Sequence, residues 1–172
     1  MRLRTFVLAM LLAVVLAAPA VSHVDDLEPY LGLWVGESVA VEKPPQGAPV
    51  TARRLDLVIR PSQSGFDMTW TPFGRGAAGK IKAQFEAARE PHLFTLKTAD
   101  PPLNGSEALE ARIEAEGLVV RLSSRGDDGS ETLASYVFSV SGRRMTLTYT
   151  LSRGGEVLES LKGQLSRAKV VL

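Results

Sequence analysis

The chain is 172 residues long, with 20 basic and 19 acidic side chains, a net charge of +1, 45% hydrophobic residues and no cysteine. That is about one domain's worth of chain, able to bury a core, and without cysteine the fold must rest on packing and strand pairing. The balanced charge lacks the basic footprint that nucleic-acid binding requires.

Arg2 and Arg4 precede an apolar run from Phe6 to Ala18, and Ala18-Pro19-Ala20 follows as a small-x-small step. This is the pattern of a secretory signal peptide over residues 1–20, with cleavage after Ala20 and Ser22 as the second candidate. The run falls short of the roughly 20 apolar residues a membrane-spanning helix needs, and no later stretch reaches that length. The sequence therefore predicts an exported protein, periplasmic or extracellular, with no stable membrane span after cleavage. With no cysteine to carry a lipid, no lipoprotein anchor is expected. Residues 21–172 form the single mature domain, where 18 basic side chains face 19 acidic ones.

An acidic turn, Asp25-Asp26-Leu27-Glu28-Pro29, comes first, where Asp25 or Asp26 is positioned to cap one helical turn. Tyr30-Leu-Gly-Leu-Trp-Val-Gly-Glu-Ser-Val-Ala-Val-Glu42 then reads as a first long strand, with Trp34 at the base of the core. The Pro-rich stretch Lys43–Pro49 is too poor in backbone donors for a sheet interior and predicts a loop. Leu55, Leu57 and Ile59 alternate with polar residues, and so do Phe66, Met68 and Trp70, each at the period of two that marks a half-buried strand. Pro61-Ser62-Gln63-Ser64-Gly65 is the turn between them. After a Gly-rich loop at Gly74–Gly79, Ile81, Ala83, Phe85 and Ala87 share a face, followed by Phe94 and Leu96. Asp100–Ser106 predicts an irregular loop at the same end as the other long connections.

The second half is a run of hairpins. Leu109, Ala111 and Ile113 alternate with charges; Glu116-Gly117 turns into Leu118, Val120 and Leu122; Arg125–Gly129 turns again into Tyr136 and Phe138. Met145, Leu147, Tyr149 and Leu151 alternate with threonines, and Arg153-Gly154-Gly155-Glu156 leads to the last strand, Val157–Ser166. About ten strands with short turns and almost no helix predict an all-β, antiparallel up-and-down barrel. A two-sheet β-sandwich is the alternative architecture.

Gly32-x-Trp34 after a short turn, with Arg167 near the end of the last strand in phase with Leu161 and Leu165, resembles the calycin group. That group takes in lipocalins, fatty-acid-binding proteins and nitrobindin-like barrels. The resemblance implies that Trp34 closes one end of the barrel and that Arg167 packs across it, a cation–π contact of about 0.5 to 2 kcal/mol. It also implies a small apolar or amphipathic ligand inside, and the ten-strand count fits the fatty-acid-binding or nitrobindin-like shape better than the eight-strand lipocalin. In nitrobindin-like barrels the haem ligand is a histidine near the carboxyl end; this chain has none there, so no haem is expected.

The inward set contains Trp34, Phe66, Met68, Trp70, Phe85, Tyr136, Phe138, Tyr149 and Arg167 as ligand-binding candidates, with Leu57 and Phe94 beside them. An apolar wall supplies affinity and a few polar tips orient the ligand; equally, side chains alone can fill a small barrel. Glu159 is in phase with Val157 and Leu161 and so faces inward, unless a bulge near Gly154-Gly155 turns it to solvent. His23 and His92 are too few and too scattered to hold zinc or haem, so no cofactor and no metal is expected. Asp127 and Asp128 lack the further carboxylates of a calcium loop, and Arg125-Gly126-Asp127 is accounted for by turn chemistry. No Gly-x-Ser-x-Gly, His-Glu-x-x-His or cysteine nucleophile is present, which points away from an enzyme, with Glu159 the one candidate acid or base. The expected function is non-catalytic binding of a hydrophobic or amphipathic molecule. The alternative is a solid-core structural or protein-interaction module of the cell envelope.

Overall fold

Alternating apolar and polar residues give ten antiparallel strands, and the ring closes because the first strand pairs with the last. The structure, a computed structural model, describes residues 23–43, 54–71, 79–105 and 107–168. The expected signal peptide over 1–20, the Pro-rich stretch 44–49 and the Gly-rich stretch 74–78 lie outside the described residues. The strands are β1 (Gly32–Lys43), β2 (Arg54–Pro61), β3 (Gly65–Trp70), β4 (Ile81–Ala87) and β5 (Leu93–Asp100). They continue as β6 (Glu107–Glu114), β7 (Gly117–Arg125), β8 (Glu131–Ser141), β9 (Arg144–Arg153) and β10 (Glu156–Arg167). Each pairs with its sequence neighbours, and β1 pairs with both β2 and β10. The architecture is thus the closed up-and-down barrel, not the sandwich.

Before β1 the chain forms a 3-10 helix, His23–Tyr30. The single capped turn expected there is instead eight residues long, and Asp25 and Asp26 lie within its first turn. The helix lies against one end of the barrel and inserts Leu27, fully buried, and Tyr30, 9% exposed, into the core. The turns β2–β3, β4–β5, β6–β7 and β8–β9 are at this helix end, and the other five connections leave from the far end.

Closure depends on how closely β1 and β10 approach. Trp34 is paired with Arg167, Gly36 with Leu165 and Ser38 with Gly163. A Cβ on Gly36 would lie 1.9 Å from the Gln164 carbonyl oxygen and 2.7 Å from the Leu165 Cα, so only glycine fits where the barrel shuts.

The inside is one continuous apolar core. The outside is charged: Arg54 pairs with Asp56, Lys97 with Glu86, Arg112 with Glu90 and Arg121 with Glu114. A lipid-facing barrel wears an apolar outer band instead. Val119 is outward on β7 yet 1% exposed, flanked across the ladder by Arg112 and Val137.

Candidate functional site

The helix end is a plug. Trp34 is fully buried and its indole N–H donates to the Tyr30 carbonyl at 2.8 Å. The Arg167 guanidinium carbon stands 4.8 Å from the Trp34 ring centroid, and Arg167 Nη2 donates to the Pro29 carbonyl at 2.8 Å. Gly32, at φ +130°, leaves room beside the Arg167 side chain. The partnership of Gly32, Trp34 and Arg167 expected from the sequence is present. The Trp34 N–H and Arg167 Nη2 are committed to the backbone, Arg167 Nε is buried without a partner among the described residues, and together these side chains close this end of the barrel.

Above the plug comes an aromatic trio. Phe66 stacks on Phe85 at 4.8 Å between ring centroids and meets Phe94 edge-on at 5.2 Å. With Phe138 and Met68, each 1% exposed, they fill the lumen at this level.

Toward the far end the lining changes. Trp70 on β3 and Tyr136 on β8 are five strands apart whichever way the ring is followed. Their rings nevertheless meet at 6.2 Å in a T-shaped contact. This crossbar divides the lumen. On one side, β4 to β7 present Ala83, Leu96, Leu109 and Leu122, all apolar. On the other, β9, β10 and β1 present Tyr149, Glu159 and Ser38, with Gly36 and Gly163 between them.

Tyr149 is fully buried, with its ring 5.0 Å from that of Tyr136. Desolvation holds its phenol well above the ordinary tyrosine range, and the neighbouring Tyr136 and the negative charge of Glu159 push the same way. Glu159 is 8% exposed. A bulge does occur in β10, between Val157 and Glu159 and not at Gly154-Gly155. It leaves Val157 38% exposed at the rim, while Glu159 keeps the regular register that puts it on the inward face with Leu161. Ser38, 7% exposed, is a buried polar group that the alternation of β1 did not single out. Trp70 is 4% exposed, and its indole N–H has no acceptor among the described residues. A buried donor left unsatisfied costs about 1–3 kcal/mol, which natural interiors rarely tolerate without reason.

The nine ligand candidates therefore fall into separate levels. Trp34 and Arg167 belong to the plug, Phe66, Phe85, Phe138 and Met68 to the packed middle, and Trp70, Tyr136 and Tyr149 to the polar level with Glu159. His92 lies in the β4–β5 turn, Nδ1 3.2 Å from Asp26 Oδ2. Among the described residues no three His, Cys, Asp or Glu side chains come together in a metal-binding group. Asp128 sits in the β7–β8 turn and accepts hydrogen bonds from the Ser130 amide and hydroxyl, which hold its carboxyl below the ordinary range. Outside the barrel a groove of about 610 Å³ crosses the outer face of β2 to β5, edged by Arg60, Asp67, Lys82 and Asp100.

No protein-family model, curated protein or solved structure matches the chain.

Proposed function

We propose that the protein is a calycin-like, non-catalytic binding barrel that takes a small amphipathic molecule into the far half of its lumen, as an exported protein would in a periplasmic or extracellular setting. The observation that carries this reading is the Trp70 N–H, a buried donor with no acceptor among the described residues, on a ring that meets Tyr136. A ligand carrying a hydrogen-bond acceptor would satisfy it. The ligand's apolar part would lie against the aliphatic wall of β4 to β7, where burial stabilises by about 25 cal/mol per Å². Its polar part would lie among Tyr136, Tyr149, Glu159 and Ser38, and its binding would part the Trp70–Tyr136 crossbar. Plug and middle layers serve as a rigid floor.

A second reading is favoured by the close packing of that floor and by the groove on the outer face, namely a solid-core module that contacts a protein through its outside. One experiment separates the two. The mass of the purified protein is measured under native and denaturing conditions, with wild type and Trp70→Phe compared after incubation with long-chain alcohols, amides and fatty acids. Binding predicts a mass excess that vanishes on denaturation and is weakened in Trp70→Phe. Identical native and denatured masses across the panel would sink the binding reading in favour of the interaction module.

A further inference from the structure

One ladder in the barrel is incomplete. β5 and β6 pair only at Leu93–Arg112, Phe94–Ala111 and Thr95–Glu110, whereas β6 pairs with β7 over its full length from Glu107 to Glu114. Beyond Thr95, Leu96 and residues 98–100 of β5 pair with β4 alone, and residues 107–109 of β6 pair with β7 alone. A seam therefore runs through the wall from Leu96 and Leu109 to the far rim. Unpaired strand edges are normally covered or blunted, because they leave backbone donors and acceptors open.

The position of the seam is what gives it meaning. It lies midway between β3 and β8, the strands that carry the two ends of the crossbar, and so it fronts the apolar half of the lumen. Its inner lips are Leu96, partly buried against the core, and Leu109, 6% exposed. A bulge in the β4–β5 pairing leaves Lys97 as an extra residue on β5 itself, and bulges twist and bend the strand that holds them. The outer groove also reaches this strand, through Thr98, Ala99 and Asp100.

We propose that the β5–β6 seam is a lateral portal through which a single-chain apolar ligand with a neutral accepting head passes into the aliphatic half of the lumen. The inference rests on interior binding. Leucine lips favour a hydrocarbon chain over a charged one, and parting two strands that share only three pairs breaks few backbone hydrogen bonds. The Trp70–Tyr136 crossbar then meets the incoming head, where the indole N–H takes its acceptor.

The chain has no cysteine, so a pair of introduced thiols reports on the seam alone. Thr95 and Glu110 are the last pair before the ladder opens, and both are exposed on the outer face. The variant Thr95→Cys/Glu110→Cys is closed with a short, cleavable bis-maleimide. Thr69→Cys/Lys82→Cys, a bonded pair on β3 and β4, is the control. The probe is a dodecyl amide carrying a dansyl group, followed by stopped-flow fluorescence. A closed seam slows uptake by at least about tenfold, as a blocked gate does; cleaving the linker restores the rate, and the control pair leaves it unchanged. Uptake at the wild-type rate with the seam closed overturns the portal while leaving interior binding intact. Failure of the uncross-linked protein to bind the probe overturns both.

Discussion

Arg167 lies over the ring of Trp34 while donating to the carbonyl of Pro29, so one side chain ties the last strand both to the first strand and to the helix before it. Arg167→Met keeps the length and loses both contacts. It should cost about 2–4 kcal/mol, the sum of a cation–π contact and a charge-assisted hydrogen bond. Arg167→Lys should recover less than half of this, because an ammonium cannot stack flat on the indole and reach the carbonyl together. Urea unfolding with unchanged slope gives the numbers. A wild-type midpoint in Arg167→Met would mean the contact contributes nothing to closure.

Gly36→Ala places a methyl group against the Gln164 carbonyl of the facing strand, a clash with backbone that no rotamer relieves. A loss of at least about 3 kcal/mol is expected, at the upper end of overpacking costs. Gly105→Ala, where a Cβ meets nothing within 4 Å, should change stability by less than about 0.5 kcal/mol, as surface positions do. Equal thermal midpoints for the two variants would contradict tight closure at β1–β10.

The two tryptophans should respond differently to the same change. Trp34→Phe strands the Tyr30 carbonyl and strips the platform from Arg167, and we expect a loss of about 2–4 kcal/mol. Trp70→Phe removes a donor that had no partner, so the relief offsets lost packing and the empty protein should change by about 1 kcal/mol or less. The same variant should bind ligand more weakly. Chemical denaturation of the two ligand-free variants tests this directly, and an equally large loss in Trp70→Phe would mean its N–H is satisfied.

Alkaline pH should destabilise the protein through its buried phenols. Burial raises Tyr149, and it also raises Tyr30 against a smaller opposing hydrogen bond with the Leu118 backbone. A phenol whose folded pKa exceeds its unfolded value near 10 contributes stability that is full below pH 10 and is lost as pH rises above it. Tyr149→Phe should flatten, without abolishing, the fall in stability above pH 10, since Tyr30 acts in the same sense. Glu159→Gln should bring the ionisation of Tyr149, followed by absorbance at 295 nm, back toward the ordinary range. An unmoved titration in Glu159→Gln would place that carboxylate away from Tyr149.

Strand alternation made the barrel legible, because a period of two over ten segments leaves few other ways to bury Leu57, Met68, Phe85 or Tyr149. Gly32, Trp34 and Arg167 were legible for a related reason: an inward arginine needs a partner, and a buried indole face is one. The division of the lumen was not legible. It arises from Trp70 reaching across to Tyr136 on the opposite strand, and period-two patterns carry no information about which inward residues meet. Glu159 was undecided because its phase depends on which side of it the strand bulges; the bulged residue, Leu158, lies before it, and no glycine marks that bulge. The β5–β6 seam was equally hidden, since Leu96 and Leu109 alternate as regularly as residues in complete ladders.

The pairing of β1 with β10 also imposes an order in time. The bond from Arg167 to Pro29 links positions 138 residues apart, and closures between such distant segments are slow and come late. Before that closure, hairpins among β1 to β9 form only an open sheet with a raw edge at each side. The lumen becomes an enclosed space only when the segment around Arg167 has docked on Trp34. Until that moment the molecule has strands and no interior.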